Sequence, residues 1–483
     1  MRLSRKGFVS FLGAFALALP AWSQPATPRA ATQAELPPSA PVPSTGITAP
    51  ASEARPTGLS FGSYGRVTVA SDLRGRSGRP SNLVAHGPRG DLPSYAELQF
   101  NYDANWQGAR WRTVITLALN EQLFHFTGDF NGTIAVRNLY LEETGALASS
   151  LSLWAGSRMY RGDDAYLLNW WPLDNLNMVG GGARWEPGRN LTLAFALGMN
   201  RLDDPYQLQT IQVAPRSGFG PMTAYLLDRP RIIESLKATW FTNGRTASEG
   251  MKLSLYGELH QMASGVRQIN EMGTRIELPA DSGAVVGAQV GIYRRANFLN
   301  LFVRYAQGLG AYGDLRVPTT LNTARTAERA QELNVALAGN YERGPFALML
   351  GAYFRWFRDA DPGVFSRDAL MEGAVVARPI VWIGQRAGVA AEASFQQLSY
   401  NALDPVTGSG ALRGTAWRFG LMPFVSPAGR GSYTRPHLQL IYLATVRDAG
   451  ARRLYAPGDP FGFNDVEHYL GVTTEWWFNS SYL

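Results

Sequence analysis

Apolar and polar residues alternate along this chain, one for one, in run after run. In 94–106, Ala96, Leu98, Phe100, Tyr102, Ala104 and Trp106 share one face, while Tyr95, Glu97, Gln99, Asn101, Asp103 and Asn105 share the other. Trp111, Ile115, Leu117 and Leu119 alternate with Arg110, Arg112, Thr116 and Asn120. Met251, Leu253, Leu255 and Leu259 oppose Lys252, Ser254, Tyr256, Glu258 and His260. Leu191 to Met199, Phe346 to Phe357 and His437 to Thr445 read the same way. The closing stretch, 466–478, sets Val466, Leu470, Val472, Trp476 and Phe478 against Glu467, Tyr469, Gly471, Thr473, Glu475 and Trp477. A period of two marks a strand; a helix would space its apolar residues three or four apart. Many runs reach about 10 residues, the length that crosses a bilayer when tilted, whereas strands of soluble sandwiches run about 5–6. One face suits lipid and the other water. The pattern therefore predicts an all-β fold, a transmembrane antiparallel β-barrel.

Spacing sets the size of that barrel. Residues 58–478 show no internal linker, and some 420 residues at about 23 per strand and connection give about 18 strands. Short polar turns, such as Asn243-Gly244, Glu342-Arg343-Gly344-Pro345 and the stretch 427–431, alternate with long segments at 74–92, 160–180, 203–228, 308–329 and 447–465. Short turns belong at the periplasmic end and long loops outside. A barrel of 16–18 strands leaves an aqueous channel. Composition agrees: the chain has 12% aromatics, 51 glycines and only 17% charged residues, against roughly 25% charged in soluble domains. Its mean hydropathy is still only −0.14, because half of each strand faces water.

The N-terminus suggests an address. Arg2, Arg5 and Lys6 precede an apolar core at 7–19, about 13 residues long and too short for a spanning helix. With Ala21-Trp22-Ser23 before Gln24, residues 1–23 read as a signal peptide. Residues 24–57 are rich in Pro, Ala, Ser and Thr. Such a segment cannot bury enough surface to offset chain entropy, so a disordered periplasmic spacer is expected, in reach of the cell wall. Residues 479–483 form a short extension beyond the last aromatic. No later run of about 18 apolar residues predicts a transmembrane helix. The chain has no cysteine, which excludes disulfides, thiolate metal sites and an acyl anchor. Its formal net charge is +7. In an exported barrel that reads as a basic pore lining or contact with anionic lipid, and no nucleic-acid partner is expected.

Several short motifs follow one another in order. Gly62-Ser63-Tyr64-Gly65-Arg66 opens the first strand, and Tyr95-Ala96-Glu97-Leu98 the second. Trp154-Ala155-Gly156-Ser157-Arg158-Met159-Tyr160 leads into 164–174 and then Gly180-Gly181-Gly182-Ala183. Arg378-Pro379, Thr434-Arg435-Pro436 and Glu475-Trp476-Trp477-Phe478 come later. This series resembles the maltoporin-type carbohydrate porins from about residue 60 to 478, and its Trp-Ala-Gly-x-Arg-x-Tyr block is fairly specific. The resemblance implies an outer-membrane channel for facilitated diffusion of sugars or oligosaccharides. It implies no enzyme activity, no cofactor and no metal, and it implies a homotrimer. It matches Tyr64, Tyr95 and Trp477 to an aromatic slide, and Arg66, Glu97, Arg158 and Asp164 to a polar track beside it. It also implies an inward-folded constriction loop over 160–179, carrying Tyr160, Arg161, Asp163, Tyr166, Trp170 and Trp171. The chemistry is sound: sugar rings have apolar faces that stack on aromatics and hydroxyls that bond charged groups. Alternation independently puts Tyr64, Tyr95 and Trp477 on the water side.

The chain departs from the family pattern at several points. Where the family has a mid-channel phenylalanine, the surroundings suggest Val286. Near another slide tryptophan, only Glu372 and Gly373 precede Arg378. The arginine before the Tyr-Ala-Glu motif does not align, though Arg89 is nearby. Phe124 or Phe126 would replace the tryptophan contributed across the trimer. A shorter slide counts against long maltodextrins and keeps a second reading, a general or anion-preferring porin. The five histidines are scattered without metal-site spacing, and no nucleophile pattern of a hydrolase occurs.

Overall fold

The computed structural model describes residues 57–479, apart from connecting stretches at 121–127, 129–133, 214–219, 271, 314, 319–323, 362–368, 404–410 and 457. The expected leader, nearly all of the 24–57 segment, Phe124, Phe126 and the last four residues lie outside the described residues.

The strands run in chain order. They begin with β1 (Gly58–Ser71), β2 (Tyr95–Trp106), β3 (Ala109–Asn120), β4 (Ala135–Thr144), β5 (Leu151–Arg161), β6 (Asn175–Trp185) and β7 (Leu191–Asn200). A loop hairpin, β8 (Leu208–Val213) with β9 (Met222–Asp228), precedes β10 (Arg231–Phe241) and β11 (Glu249–Met262). A second hairpin, β12 (Gly265–Gln268) with β13 (Arg275–Leu278), precedes β14 (Asp281–Arg294) and β15 (Asn297–Gly308). Then come β16 (Gln331–Arg343), β17 (Phe346–Arg358), β18 (Ala369–Ile383) and β19 (Ala387–Leu403). The last are β20 (Ala411–Val425), β21 (His437–Arg447) and β22 (Val466–Phe478).

Without the two hairpins, these strands form one 18-stranded sheet in which each pairs antiparallel with its neighbours in the chain. The sheet closes on itself: β1 pairs with β2, Tyr64 opposite Glu97, and with β22, Tyr64 opposite Trp477 and Arg66 opposite Glu475. Closure leaves no open edge. The pleat explains the alternation in the sequence. On β22, Val472 stands 53% exposed on the outer wall, while its neighbours Thr473, Glu475 and Tyr469 are buried inside. On β17, Phe346 and Phe354 face out, and Tyr353, Arg355 and Phe357 face in.

The two ends of the barrel differ. At one end the connections are tight. Gln107 and Gly108 join β2 to β3, both with positive φ, as a type I′ hairpin turn requires. Gly344 turns β16 into β17 at φ +60, a conformation glycine adopts without strain. The tight end also carries the longer stretch 426–436 between β20 and β21, and the longest connections lie at the other end. They include the five segments expected from the sequence and also 263–280, which carries the β12–β13 hairpin. The expected constriction loop proves shorter than 160–179. β5 runs through Arg161, which pairs with Asn175 at the start of β6. Tyr160 and Arg161 are therefore strand residues, and the loop is 162–174.

Candidate pore constriction

The loop 162–174 folds into the barrel and crosses it. Its roots are ionic. Lys237 Nζ donates to Asp174 Oδ2 at 2.7 Å, and Lys252 Nζ and Gln289 Nε2 both donate to Asp163 Oδ2. Burial pushes the Asp163 carboxyl up, but Lys252 and Lys237 outweigh it and hold the group below the usual carboxylate range. A tight turn forms the tip. Ala165 N–H donates to Trp170 O at 2.7 Å. Asn169 closes the turn at φ 51° and ψ 45°, a left-handed conformation that asparagine tolerates. The tip is apolar. Leu167 and Leu168 pack in the interior with Phe302, Ala336, Tyr353, Ala374 and Val376 of the far wall. Gly351 on β17 makes room for them: a Cβ there would lie 3.3 Å from Leu167 Cβ and from Leu168 Cγ.

A second segment folds inward, which the sequence did not reveal. The first long loop, 72–94, runs down the wall formed by β17 to β21. Leu83 N–H donates to Gln396 Oε1 at 2.9 Å, Ala85 N–H to Glu372 Oε2 at 3.0 Å, and His86 N–H to the Tyr353 hydroxyl at 3.1 Å. Asp91 accepts from Ser81 N–H at 2.7 Å and from Arg418 Nη2 at 2.8 Å. The Arg418–Asp91 pair is wholly buried. The two loops meet where the His86 ring stacks on Trp170, with centroids 4.3 Å apart. Burial in the lumen holds the His86 imidazole down at about 3, with Arg355 adding to the effect.

Another charged group surrounds Glu475 on β22. Arg435 Nε donates to Glu475 Oε2 at 2.8 Å, and the Tyr166 hydroxyl donates to the same oxygen at 2.9 Å. Arg89 Nη2 donates to Glu475 Oε1 and to the Tyr64 hydroxyl. Arg66 Nη1 reaches the Tyr64 hydroxyl at 2.9 Å. Aromatic rings interleave with these cations. Arg89 lies 4.0 Å above Tyr166, and Arg435 lies 4.2 Å above Trp477. Tyr166 meets Tyr433 and Trp477 edge to face at 5.3 and 6.1 Å. The geometry thus joins Tyr64, Arg66, Tyr166 and Trp477 in one group. Trp477 faces the interior, while Trp476 lies on the outer wall and donates from Nε1 to Ser63 Oγ at 3.0 Å.

Other candidates fall beside or away from this group. Tyr95 packs 6.1 Å from Tyr64 and donates to Glu97 Oε1 at 2.6 Å. Tyr64 and Tyr95 are each only 2% exposed, so their ring faces are covered in this conformation. Asp164 is buried, and its Oδ2 has no hydrogen-bond partner. Burial pushes its carboxyl well above the usual range, against the pull of Arg89. Arg158 stands in a separate inward cluster. It pairs with Glu142 at 2.8 Å and lies over Tyr140, Trp154 and Tyr160. Trp171 receives the Arg161 guanidinium at 3.9 Å.

Two expectations need correction. Val286 is 58% exposed on the outer wall, because β14 turns Val285, Gly287 and Gln289 inward. The buried ring opposite that strand is Phe302, paired with Gln289. Likewise the inward aromatic of β18 is Trp382, four residues after Arg378 rather than before it; Gly373 lies on the outer-facing register with Met371 and Val375. Arg137 was also missed. A β-bulge between Thr116 and Leu117 leaves it as the extra residue of β4 and aims it inward, where it donates to Glu97 Oε1 at 2.8 Å. Bulges re-aim side chains in this way, and the break in alternation at Val136-Arg137-Asn138-Leu139 was the available signal.

Among the described residues, no group of histidines and carboxylates could hold a metal. The arrangement instead offers hydrogen-bonding charges and aromatic rings side by side on the inner face of the barrel.

Comparison with known proteins agrees with a porin. No curated protein matches the chain. Its fold is similar to several solved outer-membrane barrels. One is the outer membrane channel DcaP of Acinetobacter baumannii, at 9% identity over 87% of this chain and 98% of that one, with a TM-score of 0.46. Another is OccD3 (OpdP) of Pseudomonas aeruginosa, at 11% identity over 87% and 91%, with a TM-score of 0.43. A third is OmpT of Vibrio cholerae, at 9% identity over 88% and 99%, with a TM-score of 0.41. The LamB porins match residues 59–478, so this chain belongs to the LamB porin family and is an outer-membrane channel for diffusion.

Proposed function

We propose that this channel conducts sugars or oligosaccharides, with sugar faces sliding over inward aromatics and hydroxyls exchanging between the charges beside them. The observation that carries this reading is the group at the constriction. Trp477, Tyr166 and Tyr64 stand within contact of Arg89, Arg435 and Glu475. Such a group offers an apolar plane and both donors and acceptors to a passing ring. Conduction needs several moderate contacts rather than one deep site. Tyr95, Glu97, Arg66, Asp164 and the Arg158 cluster extend the polar track along the wall. Because Tyr64 is covered beside Tyr166, access of a sugar ring to it requires the loop 162–174 to yield. Residues 1–23 act as the export signal. Residues 24–57 lie in the periplasm near the cell wall, and three barrels assemble as a homotrimer.

Single-channel recordings test this reading. Glucose, sucrose and a series of oligosaccharides should block the ion current at millimolar concentrations. A channel that conducts ions but is blocked by none of them is the general or anion-preferring porin instead.

A further inference from the structure

We infer that the constriction is built for saccharides that carry a carboxylate, and that the free Nη1 of Arg89 is the atom that meets it. This rests on the sugar-channel reading above.

Most lumenal charges in this barrel are balanced. Arg418 pairs with Asp91, Arg378 with Glu392, Lys237 with Asp174 and Lys252 with Asp163. Arg304 and Arg355 share Glu332 and Glu372. The group around Glu475 is different. Arg89 and Arg435 both bond that single carboxylate, and Arg66 sits opposite it across the β1–β22 pair. Three guanidinium groups thus face one carboxylate, which leaves positive charge in excess at this point. Asp164, the next carboxyl within electrostatic reach of Arg89, offsets little of it, because burial favours its neutral form. A narrow, low-dielectric section focuses such a field.

The second observation is an unmet donor. Arg89 is 5% exposed. Its Nη2 serves Glu475 and Tyr64, but its Nη1 is buried and has no hydrogen-bond partner. A buried charged donor without an acceptor is costly. A carboxylate satisfies it best, since guanidinium and carboxylate match in charge and geometry. The rings of Tyr166 and Trp477 beside it supply the apolar plane for the sugar ring. A uronic acid unites both features in one residue of a saccharide.

The test uses the assembled channel in planar bilayers, with galactose and galacturonate as probes that differ only at C6. Galacturonate should block at a concentration at least about tenfold lower, roughly the worth of one hydrogen bond to a charged group. Raising the salt should narrow the gap, as screening weakens attraction between charges. Arg89→Gln should remove most of the galacturonate advantage, and Arg89→Lys should keep part of it. If Arg89→Gln does not assemble, Arg435→Gln takes its place, since it removes another of the three charges. Equal block by both probes overturns this inference and leaves the sugar channel standing. A galacturonate advantage that survives both glutamine variants overturns the assignment to this group. If neither probe blocks while the oligosaccharides do, this inference is overturned, and if no saccharide blocks, the sugar reading itself fails.

Discussion

Two loops fold into this barrel, and they differ in how much of their length is held by polar contacts. The first, 72–94, is fixed by polar contacts along its length: Asp91 to Arg418, Leu83 to Gln396, Ala85 to Glu372 and His86 to Tyr353. The other, 162–174, is ionic at its roots, bonds the wall beyond them through the Tyr166 hydroxyl, and packs its leucine tip against the far wall. Directional bonds to buried groups fix one geometry and break at high cost. Apolar contact is not directional, so a packed tip can slide at lower cost. The first loop therefore behaves as part of the wall and the other as the part that yields. The His86–Trp170 stack is where they meet.

The largest expected effect comes from unpinning the first loop. Arg418→Ala leaves the Asp91 carboxylate buried without its cation. Breaking such a pair from one side costs about 3–5 kcal/mol. Thermal unfolding in detergent should show this as a marked loss of barrel stability. A variant as stable as the parent would make the first loop a passive lining and remove the contrast. Next comes deletion of 162–173, which should raise single-channel conductance several-fold while the barrel still assembles. Unchanged conductance would mean that the first loop alone sets the narrowest section.

The contrast between the loops also marks the limit of what the sequence shows. The wall was legible because alternation is local: each strand declares its faces within about ten residues, and chain length then fixes the strand number. The inward course of the loop after β5 was expected from the family resemblance, and its tryptophans and tyrosine among paired charges fitted that expectation. The first loop was not. Its inward course depends on Gln396, Glu372, Tyr353 and Arg418, which lie 267 to 327 positions away in the chain, and nothing within 72–94 points to them. Val286 was misplaced for a related reason. Resemblance located the neighbourhood, but only the register of β14, with Gln289 facing in, decides which of two adjacent valines lines the pore. Arg137 escaped because a bulge interrupts the period on which the reading relied.

Acid should separate the loops at their junction before it loosens the anchors. The His86 imidazole is held at about 3 against an ordinary value of 6.5, through burial first and Arg355 second; Arg304 adds to the effect and Glu332 opposes it. Its neutral form thus favours the stacked state. That preference is complete above about pH 6.5 and fades as pH falls toward the lowered value. The Asp163 anchor is a depressed carboxylate, so it keeps its contribution until pH falls below about 4. Open probability should therefore rise between about pH 6.5 and pH 4, and His86→Phe, which keeps the ring but not the charge, should abolish the rise. A response that begins only below pH 4, or one that survives His86→Phe, would place the weak point at the root of the moving loop.

The smallest effect is expected at two adjacent tryptophans on β22, of which only Trp477 meets the moving loop. Trp477 faces the interior, 6.1 Å from Tyr166 and beneath Arg435. Trp476 faces outward over Gly65 and bonds Ser63. A strand admits only one of two neighbours to each face, so they serve different environments. Trp477→Ala should weaken sugar blockade by about 1 kcal/mol, the worth of one stacking contact, and it also frees Arg435 from its ring. Assembly should hardly change, because the tip keeps its contacts with Gly351 and the far wall. Trp476→Ala should do the opposite: it removes an aromatic from the outer rim, where such rings anchor barrels in the bilayer interface, and leaves blockade nearly intact. The pair also tests the distinction between the loops. If Trp477→Ala raises conductance in the absence of sugar, the tip is held by this ring and not by apolar packing alone. The yielding loop would then share the aromatic and ionic mode of attachment that fixes the other.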